Sequence, residues 1–520
     1  MTVQNSSQTL PQYPDKLDAA VLKVAGVVVL GAIMSILDIT VVNVALPVFQ
    51  TVFAANPANP IAYSTVAWTV TGYTLALATV IPLSGWAADR FGTKRLYMIA
   101  ILLFTAGSAL CASASSINML IAFRVLQGLG GGMLMPIGMT IMTRAAGPHR
   151  MGRLMAVLGV PMLLGPILGP IIGGWLIEKA SWHWVFLINV PIGAVALVYA
   201  YFVLAKDDPQ PSESFDWLGM VMMSPGLALF LFGVSSIPSK GTVSAPRVWV
   251  SMLIGIVLML AFVFWSFRPK HPLLDLRLFR NRELTVSVIT MFLFAAAFFG
   301  GLLLVPTYFQ EIRNQSTLHA GLLVAPQGIG AMVTMPIAGA LADKIPVGRI
   351  VIPGLVLILA GMFGLTQVTS TTPFGVLIAM LVVMGLGMGA TMMPMFTAAL
   401  KTLTHHEVAR GSTLLNITQQ IASSVGVATM SVILTNHLKG SHLALPAISS
   451  LKDPSILHQI GGVAGQVQGL AEAGHAFALT YWVAWLMVVL TLVPASFLPL
   501  KDRGVNNLDD EPTPPVMVPG

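Results

Sequence analysis

One acid, Asp38, lies deep inside a long apolar run, SILDITVVNVALP, and one base, Arg124, lies inside another, IAFRVLQGLGGG. The other nineteen acids fall in loops, in tails or close to the end of an apolar run. A charge at the centre of a membrane-spanning helix costs at least about 2.5–3.5 kcal/mol on insertion scales, so a carboxyl kept there has a reason. One reason is structural, a bond to a neighbouring helix. The other is chemical: burial disfavours the charged form and a nearby cation favours it. Such a group can take up and give back a proton, and a transported cation can displace that proton. Arg124 then either braces backbone carbonyls or tunes the protonation of Asp38. Spacing alone leaves both roles open, as it leaves open whether the two residues touch.

The run LGVPMLLGPILGPIIGGW (158–175) places Gly165, Gly169 and Gly173 four apart, with Gly174 following. That spacing puts the three on one helix face and lets a second helix approach closely. Pro161, Pro166 and Pro170 each remove a backbone donor and kink the helix. The run suits tight packing, and equally an interface helix that seals one side and flexes as two bundles rock. In GWAADRFGTKR (85–95), Gly85 and Asp89 precede Arg90, a turn at Gly92, and Lys94 and Arg95. An acid among cations at a membrane face can latch two helices in one state and release them in another. A second acid recurs in the matching place at Asp343.

Asn43, Gln127, Gln327, Asn416, Gln419 and Gln420 are uncharged polar residues within apolar runs, able to bond helices together or line a cavity. Trp68, Tyr73, Phe298, Phe299 and Phe396, with 29 methionines in the chain, suit a soft, promiscuous apolar pocket. The pair His405 and His406 has no further ligands nearby and reads as a solvated loop, so no metal site is expected. The lone Cys111 can form neither an internal disulfide nor a metal cluster. No GxxxxGK[ST] pattern occurs, and no Ser/His/Asp or paired-carboxylate set falls in an apolar run. An active process here would run on an ion gradient, with the proton as coupling ion and no cofactor. Each charge crossing 100 mV supplies about 2.3 kcal/mol, and each pH unit about 1.4 kcal/mol per proton.

The elements that carry these residues follow from composition. The 520 residues are 56% hydrophobic and 9% charged, against about 25% charged in a soluble domain. Mean hydropathy is +0.83. A soluble enzyme and a nucleic-acid binder are excluded. The net charge of +7 comes from bases in short loops between apolar runs, without a solvated patch for nucleic acid. A spanning helix needs about 20 mainly apolar residues. Fourteen such runs are predicted: 24–48, 64–88, 96–115, 117–143, 154–177, 184–204, 217–236, 248–267, 284–308, 318–341, 350–368, 373–399, 412–437 and 475–498. With both termini in the cytoplasm, cytoplasmic segments hold 20 of the 27 basic residues and outer loops six. That bias is the positive-inside pattern. The polar N-terminus is unlike a cleaved signal peptide, and the acidic, proline-rich end DDEPTPPVMVPG reads as a short disordered tail. The outer segment 438–474 is expected to be a mobile cap.

The chain also repeats itself. GWAADRFGTKR at 85–95 returns as GALADKIPVGR at 339–349, an offset of 254. GLGGGMLMP at 128 returns as GLGMGATMMP at 385, and Arg153 and Gly169 return as Arg410 and Gly426, all at 257. Two duplicated six-helix bundles with two spans inserted between them follow, an architecture of secondary transporters. The expected organisation is a cytoplasmic tail (1–23), a first bundle (24–205), a linker holding the inserted pair (206–283), a second bundle (284–498) and a disordered tail (499–520).

These motifs resemble the major facilitator superfamily, and specifically its fourteen-span drug:proton antiporter branch of the EmrB/QacA type. GWAADRFGTKR resembles the superfamily's loop 2–3 motif, RVLQG (124–128) its span 4 motif linked to proton transfer, and LGPILGPIIGG its span 5 antiporter motif. LDITVVNVALP and WHWVFLINVPIG (182–193) are similar to motifs of the fourteen-span branch. The resemblance implies an all-α polytopic protein with the superfamily's fold, in a bacterial inner membrane, exporting small lipophilic or amphiphilic substrates in exchange for protons. It implies Asp38 as proton site, Arg124 as its partner, and a periplasmic adaptor as a possible partner. In the second-half loop Pro346 stands where the first half has Gly92, which weakens that latch. Span 10 carries Gln327 and no acid, which argues against dications as cargo. Export of one endogenous lipid, siderophore or metabolite, or a non-transporting sensor or scaffold, are the alternatives.

Overall fold

A lipid-exposed backbone must satisfy its own hydrogen bonds, and continuous apolar runs do so as helices. The computed structural model describes residues 18–54, 61–146, 150–207, 214–240, 245–404, 407–451 and 454–500; His405 and His406 and both tails lie outside them. Among the described residues there is no strand. The first half contains α1 (Ala19–Val52), the one-turn α2 (Tyr63–Val66), α3 (Trp68–Phe91), α4 (Thr93–Ala112), α5 (Ile117–Ala146), α6 (Met151–Lys179), the one-turn α7 (Trp184–Leu187) and α8 (Asn189–Val203). The inserted pair is α9 (Trp217–Lys240) and α10 (Pro246–Ser266). The second half contains α11 (Arg282–Glu311), α12 (Thr317–Ala342), α13 (Gly348–Leu365), α14 (Phe374–Lys401), α15 (Val408–Gly440), the short α16 (Ala444–Ser450) and α17 (Gly462–Ala495). Among the described residues, thirteen helical stretches are long and apolar enough to cross a membrane. The 29-residue α6 occupies the place of the expected fifth span.

Local chemistry sets several helix ends. Asp18 caps α1 by accepting from the Val21 N–H at 2.8 Å and pairs with Arg150 at 3.1 Å. The backbone N–H of Val21 is the main reason its carboxyl lies below the usual range. Residues 19–23, expected in the tail, are therefore the first turn of α1. Between α3 and α4 the chain turns at Gly92, with φ of 89°, a conformation glycine alone adopts without a Cβ penalty. A methyl there would also strike the Asp207 carboxylate, which accepts from the N–H groups of Lys94 and Arg95 at 2.8 and 2.9 Å.

Glycine stripes bring the helices of each half together, and they do so twice. In the first half, Gly128 and Gly132 of α5 lie against the carbonyls of Tyr73 and Leu77 on α3, and Gly130 against that of Ala100 on α4. In the second half, Gly385 and Gly389 of α14 lie against the carbonyls of Gln327 and Ala331 on α12, and Gly387 against that of Gly354 on α13. Glycines match at an offset of 257 and carbonyls at 254, so the repeat read from the motifs extends to backbone contacts. Any side chain at these glycines would meet a backbone atom that cannot rotate away.

The inserted pair packs beside the bundles, along the seam between α3 and α15. Phe232 of α9 stacks on Trp68 of α3 at 5.6 Å, while Val234 and Ile237 of α9 cluster with Ala428 of α15. Asp216 ties the two inserted helices together, accepting from the Gly219 N–H, the Trp265 indole and the Leu273 N–H.

The last span corrects the sequence expectation. The 34-residue α17 begins at Gly462, well before the expected 475. The stretch GVAGQVQGLAEAG is too polar to be recognised as lipid-buried, yet it stays helical because it has protein to pack on. Gly469 abuts Ala447 of α16 and the Leu443 carbonyl. Gln466 donates to Ser450 at 2.9 Å, and the Ser441 hydroxyl donates to Glu472. The expected cap is thus a helical extension built on α17.

Candidate functional site

Asp38 and Arg124 meet. Asp38 projects from the middle of α1 and is 1% exposed; Arg124 projects from α5 and is 0% exposed. Arg124 Nη1 forms an ion pair with Asp38 Oδ2. The same nitrogen donates to Gln127 Oε1 at 2.7 Å, and Nε donates to the Thr69 carbonyl on α3 at 3.0 Å. The guanidinium also lies 4.1 Å from the ring centre of Tyr73 and 5.8 Å from that of Phe186. One side chain thus both braces a carbonyl and contacts the acid.

The second oxygen of Asp38 is held by two amides. Oδ1 accepts from Gln127 Nε2 at 2.9 Å and from Asn189 Nδ2 at 3.1 Å. Both amides also donate to Ser108 Oγ on α4, at 3.2 and 3.1 Å, and Ser108 donates to the Phe186 carbonyl at 2.9 Å. Cys111 directs its thiol at Gln127 Oε1, 3.6 Å away, and the Tyr73 hydroxyl lies 3.3 Å from Ser35 Oγ. Five long helices, α1, α3, α4, α5 and α8, thereby converge on one carboxylate. A buried charge is tolerated when it is paired and its remaining lone pairs are satisfied; both oxygens of Asp38 are met, while Arg124 Nη2 and Asn189 Oδ1 are buried without a hydrogen-bond partner among the described residues.

Asn189 and Ser108 were not singled out from sequence. Asn189 opens α8 and is the one uncharged amide of WHWVFLINVPIG. Ser108 is a small polar residue of a kind common in apolar helices, and its sequence neighbourhood carries no signal.

The remaining expected residues are distributed. Tyr73 and Gln127, expected in a substrate pocket, belong to the cluster around Asp38. In the second half, Gln327 is 2% exposed, donates to Met388 Sδ at 3.1 Å, and borders a small cavity with Phe294, Phe298, Met362 and Met388. Phe298 and Phe299 touch at 4.9 Å on α11, and Phe396 is buried in α14. Asn43 is exposed on α1, and Gln419 and Gln420 are half-buried on α15. Trp68 lies under Phe232 and beside Arg247, 5.9 Å away. Asn416 donates to the Ser412 carbonyl and, at 3.3 Å, to Met139 Sδ of the other half.

The two halves are joined at the end that carries the basic loops. Asp343, just past α12, accepts from the N–H groups of Gly152 and Arg153 at 2.7 and 3.3 Å and ion-pairs with Arg153 Nε at 3.3 Å. A carboxylate at a helix N-terminus satisfies otherwise unpaired donors. Burial nevertheless pushes the Asp343 carboxyl above its ordinary range. Gly152 and Gly339 abut beside it, and Ser84 and Thr413 share a 3.1 Å hydrogen bond. Asp89, expected to latch helices near Arg90, Lys94 and Arg95, ion-pairs with Arg144 of α5 at 2.9 Å, inside the first half. Arg90 is half-buried at the end of α3. Lys94 caps α8, donating to the carbonyls of Tyr201 and Leu204 at 2.7 Å each, and Arg95 is exposed. Gly85 lies against Thr413 and the Ala409 carbonyl.

In α6, Gly165, Gly169 and Gly173 pack on Ile36, Thr40 and Val41 of α1, whereas Gly174 faces open space. The side chains of Pro161, Pro166 and Pro170 lie outside the described residues.

The profile of the Major Facilitator Superfamily matches residues 28–427. Over 504 residues, 94% of this chain and 92% of the relative, the sequence is 47% identical to a "Multidrug resistance protein B homolog" of Mycobacterium tuberculosis. It is 28% identical to the "Multidrug export protein EmrB" of Haemophilus influenzae, over 84% of each chain. The structure is similar to the proton:xylose symporter XylE, with a TM-score of 0.60, 16% identity, and coverage of 92% of this chain and 96% of that one. At that identity the likeness concerns the fold.

Proposed function

This chain belongs to the major facilitator superfamily, and from that membership we propose that it exports lipophilic small molecules in exchange for protons, with Asp38 as the proton site. The observation that carries the reading is the buried pair of Asp38 and Arg124 within a five-helix polar cluster. The names borne by its relatives, a multidrug resistance protein and a multidrug export protein, support drugs or toxic amphiphiles as cargo. The chain is a multi-pass membrane protein, and the distribution of its basic residues supports cytoplasmic termini.

With that orientation, the contacts at Asp343, Gly152, Ser84 and Thr413 hold the cytoplasmic end closed. Asp38 takes a proton from the outside in this state. Neutralising the carboxylate removes the charge that Arg124 Nη1 holds, so the pair loosens. The bundles then reopen at the cytoplasmic end, where the proton leaves and a lipophilic substrate enters. The α6 helix can link these events, since its first turns touch Asp343 and Gly339 of the second half while its glycine stripe grips α1. Asp38 and Arg124 together carry no net charge, and Gln327 replaces an acid in the second half. Monovalent lipophilic cations and neutral amphiphiles fit this site better than dications.

The test is drug-driven proton movement in proteoliposomes under an imposed pH gradient. Wild-type protein should move protons when a lipophilic cation is added, and Asp38→Asn should not. If the folded wild type moves neither, export of drugs by proton exchange is the wrong function.

A further inference from the structure

Asp38 has three hydrogen-bond partners, and they differ in what they can do when the acid takes up a proton. Ionised, it accepts from Arg124 Nη1, Gln127 Nε2 and Asn189 Nδ2. Protonated, it carries an O–H that needs an acceptor, because a buried donor without one is costly. Arg124 has donors only. The Gln127 carbonyl is already engaged by Arg124 Nη1 at 2.7 Å and faces the Cys111 thiol. Asn189 Oδ1 is buried and has no hydrogen-bond partner among the described residues. It belongs to a side chain whose other end already touches the acid and whose residue is 1% exposed.

Taking Asp38 as the proton site proposed above, we infer that Asn189 is the positioning residue that receives the proton-bearing form of the acid. Ionised Asp38 is met by the Asn189 N–H, and protonated Asp38 by the Asn189 carbonyl after rotation of the amide. The amide contributes both a donor and an acceptor, so one side chain serves both states. On proton uptake the carboxylate becomes a carboxylic acid, its O–H is directed to Asn189 Oδ1, and turning the amide withdraws Nδ2 from both Asp38 Oδ1 and Ser108 Oγ. The titratable groups that face the acid are Tyr73 from α3, Cys111 from α4 and Arg124 from α5. Arg124 has no acceptor, and Tyr73 and Cys111 turn their polar atoms to Ser35 and Gln127.

Asn189→Leu removes both functions, and the two losses oppose each other: without the N–H the carboxylate is disfavoured, and without the carbonyl the acid is. A titration midpoint in that variant therefore does not read the acceptor role. Proton release from purified protein on adding tetraphenylphosphonium tests the underlying reading separately: if Asp38→Asn releases protons as the wild type does, the proton-site reading itself fails. The role of Asn189 is decided by infrared difference spectra between acid and alkaline wild type with isotope-labelled asparagine, with Asn189→Leu used to assign the band. An asparagine carbonyl band that shifts with protonation and is absent from Asp38→Asn supports the inference, and no such band overturns it.

Discussion

Gly169 of α6 lies against Thr40 of α1, two residues along the helix from Asp38. Two residues is a little over half a helical turn, so α6 grips the face of α1 opposite the acid. The first turns of α6 touch the second half of the protein through Gly152 and Arg153. One continuous helix therefore connects the inter-bundle contact to the backbone that carries Asp38.

A side chain at Gly169 should disturb that connection before it disturbs anything else. A methyl there would collide with the Thr40 side chain, whose hydroxyl is already bonded to the carbonyls of Ile36 and Leu37. Overpacking of this kind costs about 1–3 kcal/mol. Gly169→Ala is expected to lower the thermal stability of purified protein by that amount and to reduce drug-driven proton flux. Gly174→Ala, which meets nothing within contact distance, should leave both unchanged.

Asp343 gives closure of the basic end a pH dependence with a definite sign. Burial raises its carboxyl above the ordinary value of 3.8 when the bundles close over it, so closing takes up protons. Its contribution to closure is fully present below the ordinary value and is lost as pH rises through the raised one. Spin-label distances across the ends of α6 and α12 should therefore show the closed population falling as pH rises through that window. Asp343→Asn should remove this dependence. A pH response unchanged in the variant would assign it to another group.

Much of this was legible in the sequence because its causes are local or periodic. The duplicated bundles followed from glycine motifs that recur at 254 and 257, and the same glycines make equivalent backbone contacts in α5 and α14. Asp38 and Arg124 stood out because charges inside apolar runs are rare. Asn189 and Ser108 did not, since what they touch is decided by how α4 and α8 pack on α1, and no spacing along one helix encodes that. The early start of α17 was hidden for a related reason: its first turns are supported by α16, and hydropathy reports lipid contact alone.

The turn at Gly92 offers a test of the loop that is independent of transport chemistry. Asp207 holds the first N–H groups of α4 as a helix cap does, a contribution of about 0.5–2 kcal/mol. Asp207→Ala should lower thermal stability by about that much. Gly92→Ala should cost more, because it adds a strained φ of 89° to a collision with the same carboxylate. If the two substitutions are equally costly, the backbone strain at Gly92 is negligible.

Removing one member of the Asp38–Arg124 pair leaves the other buried and uncompensated, which costs about 3–5 kcal/mol. Arg124→Leu alone is therefore expected to destabilise the purified protein severely. Asp38→Leu with Arg124→Leu removes both charges, and a pair replaced by apolar residues of similar volume is often neutral or stabilising. The double variant should recover most of the lost thermal stability and still move no protons on addition of substrate. That combination separates the two things the pair does. Stability requires only that the charges match, whereas coupling requires that one of them can be discharged. A double variant that is stable and still couples would place the proton elsewhere in the protein.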